Sequence, residues 1–330
     1  MRAAVCHEFG PVENLVIEDM EPPAMAADRV RIETRAAGVS FGTSLVIAGK
    51  YQRKPPRPFA PGTEVAGVVS EVGADVSGLE VGQRVYAAID WGGFAENAVA
   101  RAIHTHVIPE GVDFAQATLL PISYPTSYAA LIWKARLKAG ETVLVHGSTG
   151  AVGLACVEIA KAKGAKVIAT ASTEEKRELA AEHGADFTCG YEGLRDAVKE
   201  FTDGAGADVV FDPIGGDVFM DSMRATAREG RLVTIGYASG KIPEPPVNFL
   251  LVKNMSIIGL NYGTYLGWSP GDDGSAYSGD IAAMHADLKT MFEAGALKPT
   301  VSYRFPLEDY AAAMDTVLSR KSTGKVVLEI

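Results

Sequence analysis

The sequence predicts an α/β protein, with a doubly wound parallel sheet in the second half of the chain and a compact β-rich domain before it. Three observations carry this reading. Between Thr142 and Leu260, short apolar runs rich in β-branched residues alternate with helical segments, the pattern of a sheet covered on both faces. The first run, Thr142-Val143-Leu144-Val145, leads into Gly147, Gly150 and Gly153 and then into helical spacing. Strand, glycine turn and helix in that order make a phosphate cradle. Roughly the first 120 residues instead hold short strand-like segments punctuated by glycine and proline, which suggests a barrel or sandwich.

Taken in order, RVRIET (29–34) alternates polar and apolar residues, as a half-buried strand does, and 64–72 and 83–88 are further short strands. Near Pro121 and Pro125 the character changes, and Thr126 or Ser127 can cap a helix through Leu131 to Leu137. Strands at 142–145, 166–171, 186–189, 207–212, 231–236 and 255–260 then alternate with helices at 154–161, 173–182, 194–201 and 217–227. A helix over 281–293, another over 307–318 and a closing strand, KVVLEI, end the chain.

The totals restrict function. The chain has 330 residues, 47% hydrophobic and 22% charged, enough for roughly two domains and a full core. A formal net charge of −10 argues against nucleic acid or an anionic membrane as the main partner. Cys6, Cys156 and Cys189 are far apart and show neither disulfide nor metal spacing, which suits a reducing compartment. MRAAVCHEFG lacks the apolar core of a signal peptide, and FLLVKNMSIIGL is too short and too interrupted to span a bilayer. A cytoplasmic protein is expected.

Against the dinucleotide pattern G-x-G-x-x-G, Gly150 and Gly153 match while Ser148 stands where the first glycine belongs. The next strand tip decides between cofactors, because an acidic side chain there would bond the ribose diol of NAD. Here it reads Ala171-Ser172-Thr173, with Lys176 and Arg177 a helical turn later. A hydroxyl and a cation without a carboxylate suit a 2′-phosphate, so NADPH is the expected cofactor. Ser172 and Glu175 also fit a capping box, a role compatible with the first.

Taken together, AAGVS (36–40), AGKYQ (48–52), PGTEVAGVV (61–69), VHGSTGAVG (145–153), ATASTEEK (169–176), FDPIGG (211–216) and the terminal TGKVVLEI resemble the zinc-independent, ζ-crystallin-like quinone oxidoreductases of the medium-chain dehydrogenase/reductase superfamily. The resemblance covers essentially the whole chain. It implies a GroES-like β-barrel catalytic domain (1–122 and 266–330) and a Rossmann NADP-binding domain (123–265). It also implies hydride transfer from NADPH to quinones or related conjugated carbonyls, usually by a homodimer. The cradle carries over to Thr149, Gly150, Ala151, Val152 and Gly153, and the 2′-phosphate site to Ser172 and Lys176. Tyr191 falls beside the adenosine, Arg320 on the phosphate side, and Thr126 and Gly236 near the nicotinamide. Tyr191 equally fits surface packing, and Arg320 a solvated helix end.

The substrate side departs from the family. Ser40-Phe41-Gly42-Thr43 stands where an amide and a carboxylate are common. Ser40 and Thr43 are therefore substrate-side candidates, with Tyr51 and Tyr262 placed to orient an acceptor or simply to pack. No side chain is singled out as catalytic. The zinc branch's cysteine is absent after Ala36-Ala37-Gly38, and Gly62-Thr63-Glu64 lacks its histidine, so no metal is expected. His104 and His106 read as loop residues, and His146 as a packed residue that fixes the cradle turn. Two alternatives stay open: reduction of an enal or enone double bond, with Arg53, Lys54 and Arg57 meeting an anionic group, and a catalytically weak NADPH-binding protein.

Overall fold

The computed structural model describes residues 1–269, 271 and 273–330. The chain divides into two compact units, residues 1–122, 263–283 and 299–330 in one and 123–262 and 284–298 in the other.

The first unit begins with the antiparallel pair β1 (Arg2–Val5) and β2 (Val16–Asp19). Strand β3 runs over Arg29–Val39 and is followed by a short helix, α1 (Phe41–Ile47). Strands β4 (Glu64–Val72), β5 (Arg84–Ala88), β6 (Asn97–Arg101) and β7 (Thr105–Val107) come next, then α2 (Phe114–Ala117). Strand β3 is the hub. One of its edges pairs with β4, while the other pairs with β6 along Arg29–Glu33 and with the C-terminal strand along Ala36–Val39. This change of partner curls the sheet around a core of Val30, Ile32, Val65, Val69, Val85 and Ala98. β3 runs past the expected Thr34 because Ala36, Ala37 and Val39 are all buried and show no alternation.

The second unit opens with α3 (Ser123–Tyr128), which continues into a π-helical stretch, Ala129–Lys134. Thr126 and Ser127 therefore sit inside the helix and do not cap it. Pro125 is accommodated in the first turn, where its missing N–H costs nothing. Six strands follow: β8 (Thr142–Val145), β9 (Lys166–Thr170), β10 (Phe187–Cys189), β11 (Ala207–Asp212), β12 (Thr226–Thr234) and β13 (Ser256–Gly259). All pair in parallel, in the order β10-β9-β8-β11-β12-β13. Helices α4 (Ala151–Ala162), α5 (Glu174–Glu182), α6 (Leu194–Phe201), α7 (Asp217–Ala225) and α8 (Asn248–Lys253) connect them. Register places Ile168, Leu144, Val210 and Leu232 in one row across the sheet. That row packs on Val198, Phe219 and Met223 from α6 and α7, so truncating one of its leucines should cost about 2–5 kcal/mol.

Helix α9 (Ser278–Glu293), strand β14 (Val301–Pro306), helix α10 (Tyr310–Leu318) and strand β15 (Lys325–Glu329) complete the chain. β14, β15, β3, β4, β5 and β7 follow one another in one seven-stranded sheet, with β6 paired to β3. The architecture is thus the expected barrel unit with a doubly wound parallel sheet. Residues 284–298, expected with the barrel, pack in the second unit. Asp287 accepts from Tyr128 (2.7 Å) and Lys163 (2.6 Å), and the Lys298 amide donates to Glu158 at 3.0 Å. Among the described residues no helix is long and apolar enough to cross a membrane.

Candidate functional site

The sheet order reverses between β8 and β11, and a crevice forms where strands diverge at such a switch point. Two turns wall it. After β8, Gly147 takes a left-handed φ of 56° and Gly150 N-caps α4 with φ −76° and ψ 167°. Gly147, not Gly150, is therefore the residue whose backbone requires glycine. Gly153 serves packing instead. A Cβ there would lie 2.1 Å from the Gly147 carbonyl oxygen, whereas one at Gly150 would meet nothing nearer than 3.6 Å. The space over Gly150 and the first amides of α4 suits a diphosphate, and α4 is long enough to present its positive end to it. Thr149, Ala151 and Val152 complete this turn. No side chain caps α4, which leaves its first amides for a ligand.

After β11, Asp212 is fully buried, and its Oδ1 accepts from the amides of Ile214 (2.7 Å) and Gly215 (2.9 Å). This bond pair sets the loop facing Gly147, where Pro213 and Ile214 lie within 4 Å of a Cβ placed on that glycine. Sequence reasoning gave Asp212 no role. The signal was available, since Asp before Pro-x-Gly-Gly is an Asx-turn pattern. Gly236 follows β12, and a Cβ there would come 3.4 Å from the Pro213 carbonyl.

Helix α3 is tied to the cradle through Ser127, whose Oγ donates to the Val152 carbonyl at 2.7 Å, and through Tyr124, whose hydroxyl donates to the buried Glu158 of α4 at 2.7 Å. Thr126 is half-buried beside these anchors. The Tyr191 hydroxyl accepts from the Gly147 amide at 3.2 Å, and burial raises its pKa above the usual phenol value.

At the tip of β9 the cap of α5 is Thr173, which accepts from the Lys176 amide at 3.3 Å. The expected capping box on Ser172 is not formed, because Thr173 already holds the extended backbone a cap needs (φ −124°, ψ 162°). Ser172 keeps an exposed hydroxyl. Lys176 is half-buried, and that burial lowers its pKa, a cost that a bound phosphate would reverse. Arg177 reaches back to the Ala171 carbonyl at 3.4 Å and pairs with the Glu174 carboxylate, so its charge at the tip is already partnered.

The remaining candidates divide between the units. Tyr262 is buried, at the end of the second unit. In the first unit, Ser40 N-caps α1, accepting from the Thr43 amide at 3.3 Å, and its Oγ lies 3.1 Å from the Thr43 hydroxyl. Tyr51 is half-buried against the core around Phe59 and Met314, and burial raises its pKa. Arg320 follows α10 with a left-handed φ of 60°.

Glu64, left over from the zinc pattern, forms a buried ion pair with Lys325. The pair presses on Gly38, where a Cβ would lie 2.7 Å from each partner. Among the described residues no group of three or more His, Cys, Asp or Glu could hold a metal ion. His104 and His106 are not loop residues. His104 is buried beside β7, His106 lies on β7 against Tyr86, and burial lowers the pKa of each to about 4.

Family models match twice: an alcohol dehydrogenase GroES-like domain over residues 26–110 and a zinc-binding dehydrogenase domain over 151–272. A rat quinone oxidoreductase-like protein 2 is 39% identical over all of this chain and 92% of its own length. The Escherichia coli quinone oxidoreductase, solved with NADPH, superposes with a TM-score of 0.89 at 28% identity and full coverage of both chains. The enoyl reductase CurK gives 0.87 at 26% identity, covering 99% of this chain and 98% of its own.

Proposed function

Because the chain belongs to the quinone oxidoreductase family of the medium-chain dehydrogenase/reductase superfamily, we propose that it is an NADPH-dependent oxidoreductase that passes hydride to quinones without a metal. The observation that carries the reading is the tip of β9: an exposed Ser172 hydroxyl and a half-buried Lys176 stand where an NAD site would place a carboxylate. Bound there, NADPH supplies the hydride from its nicotinamide. The amides from Thr149 to Gly153 hold the diphosphate at the positive end of α4, and Ser172 and Lys176 hold the 2′-phosphate. Tyr191 and Arg320 add contacts on the adenosine side. Thr126 and Gly236 position the nicotinamide, with α3 fixed by its two bonds to α4. Acceptor contacts fall to Ser40, Thr43, Tyr51 and Tyr262. The first two are uncharged and bond each other, which favours a neutral planar acceptor over one needing a charged partner. Free cysteines at 6, 156 and 189 fit a cytoplasmic setting.

The working protein is a homodimer in this reading. Strand β13 ends its sheet with no further strand paired among the described residues, and Val247, Leu251 and Val252 beside it are 70%, 80% and 70% exposed. A bare edge with clustered apolar side chains calls for a partner.

NADPH turnover against naphthoquinones, benzoquinones, enals and enones tests the function. Preferred turnover of quinones, surviving prolonged chelation, supports it. Preference for enals or enones would favour the double-bond reductase reading, which the likeness to CurK supports. Binding without turnover would favour a non-catalytic role.

A further inference from the structure

Ser148, in the place of the first glycine, is fully buried. Its Oγ donates to the Thr170 carbonyl at 2.9 Å and its amide to the same oxygen at 3.3 Å. The Thr170 hydroxyl lies 2.9 Å from His146 Nδ1, and His146 Nε2 lies 2.6 Å from Ser222 Oγ. The hydrogens can be assigned by counting donors. Ser222 gives its hydroxyl hydrogen to the Val218 carbonyl at 2.7 Å, so it accepts from Nε2–H. Nδ1 is then the acceptor, and Thr170 donates to it in preference to the Val145 carbonyl at 3.3 Å. Burial, which holds the imidazole neutral, agrees with that tautomer.

The placement of Thr170 gives these bonds meaning. The backbone ladder between β8 and β9 stops at Val145 and Ala169. Thr170 is one residue beyond it and two before Ser172. Past the ladder, the β9 tip is joined to the cradle strand by the bonds through Ser148 and His146, and to β10 by the Ala171 amide on the Cys189 carbonyl at 3.1 Å.

We infer that Ser148, Thr170 and His146 form a brace that holds the diphosphate turn and the 2′-phosphate tip in one frame, making them positioning residues for nucleotide discrimination. The inference rests on the NADPH reading. The two phosphate groups of NADPH are a fixed reach apart, so contacts at both ends add only while the two protein sites keep matching spacing. NADH brings the same diphosphate and an uncharged ribose diol to the tip, so without a 2′-phosphate it makes no charged contact there that depends on the spacing.

The test measures dissociation constants for NADPH and NADH by nucleotide fluorescence, with melting temperature of the nucleotide-free protein as control. The variants are Ser148→Ala, Thr170→Val and their combination, each with and without Lys176→Ala. The combined variant should lose about tenfold in NADPH affinity and less than about threefold in NADH affinity, since charged hydrogen bonds weaken steeply with misplacement. Lys176→Ala should cost several-fold less without the brace than with it. Equal losses for both nucleotides, or a Lys176→Ala effect unchanged by the brace, would overturn the inference even if melting temperatures fall. Ser148→Ala, which removes one oxygen, carries the same comparison if Thr170→Val does not fold. Wild-type protein that binds both nucleotides equally would instead refute the NADPH reading, and the brace's role with it.

Discussion

Replacing Gly153 by alanine should damage the cradle without touching a single ligand-binding side chain. The added Cβ would lie 2.1 Å from the Gly147 carbonyl oxygen and 2.8 Å from the carbonyl carbons of Gly147 and Ser148. All three are backbone atoms of the turn, so no side chain can swing aside. Restoring an ordinary contact of 3.4 Å requires the turn and the start of α4 to separate by about 1.3 Å. Overpacking of this kind costs about 1–3 kcal/mol. The same displacement spoils amide-to-phosphate bonds that need about 2.7–2.9 Å. NADPH and NADH affinity should fall together by at least about tenfold, with a lowered but cooperative melting transition. Gly150→Ala is the contrast: its Cβ meets nothing nearer than 3.6 Å and its φ of −76° suits any residue, so the nucleotide-free protein should keep its melting temperature. Calorimetric melting and fluorescence titration of both variants decide the matter. A Gly153→Ala protein with unchanged melting and binding would refute the claimed contact.

Lys325→Met should destabilise the protein by about 3–5 kcal/mol, because it strands the buried Glu64 carboxylate. Adding Glu64→Gln should recover much of that loss in denaturant titrations. Acidification should destabilise the fold from about pH 6.5 downward. His104, His106 and His146 stay neutral to about pH 4 while their unfolded counterparts protonate near 6.5. Each therefore removes about 1.4 kcal/mol per pH unit across that window. Leu251→Asp with Val252→Asp should shift the protein toward monomer in sedimentation at unchanged melting cooperativity. An unchanged mass would count against the proposed homodimer contact at this edge.

Much of the parallel sheet was legible because its strands are short, apolar and sharply bounded. β8, β11 and α6 begin and end where the sequence alone puts them. β12 was not, since it starts at Thr226 and passes through Arg228-Glu229-Gly230, with Glu229 at φ 58° and a register shift against β11. Polar residues at an irregular stretch of strand look like a turn. At the β9 tip, Ser172 and Thr173 are both good caps, and only backbone conformation separates them. His146 is packed as the sequence suggests, but its bonds to Thr170 and Ser222, and the buried roles of Ser148 and Thr170, depend on which strands become neighbours, which local pattern does not encode. The same holds for residues 284–298, whose attachment runs through Asp287 and Glu158.

The central claim is that the β9 tip selects the phosphorylated nucleotide for hydride delivery to a quinone. Its most direct test is kcat/KM for NADPH and NADH with one naphthoquinone acceptor, in wild type and Lys176→Ala. A charge-assisted hydrogen bond contributes about 1.5–3 kcal/mol. Lys176→Ala should therefore lower kcat/KM for NADPH about ten- to a hundredfold and leave that for NADH nearly unchanged. Equal use of both nucleotides by the wild type, or equal losses in the variant, would contradict it.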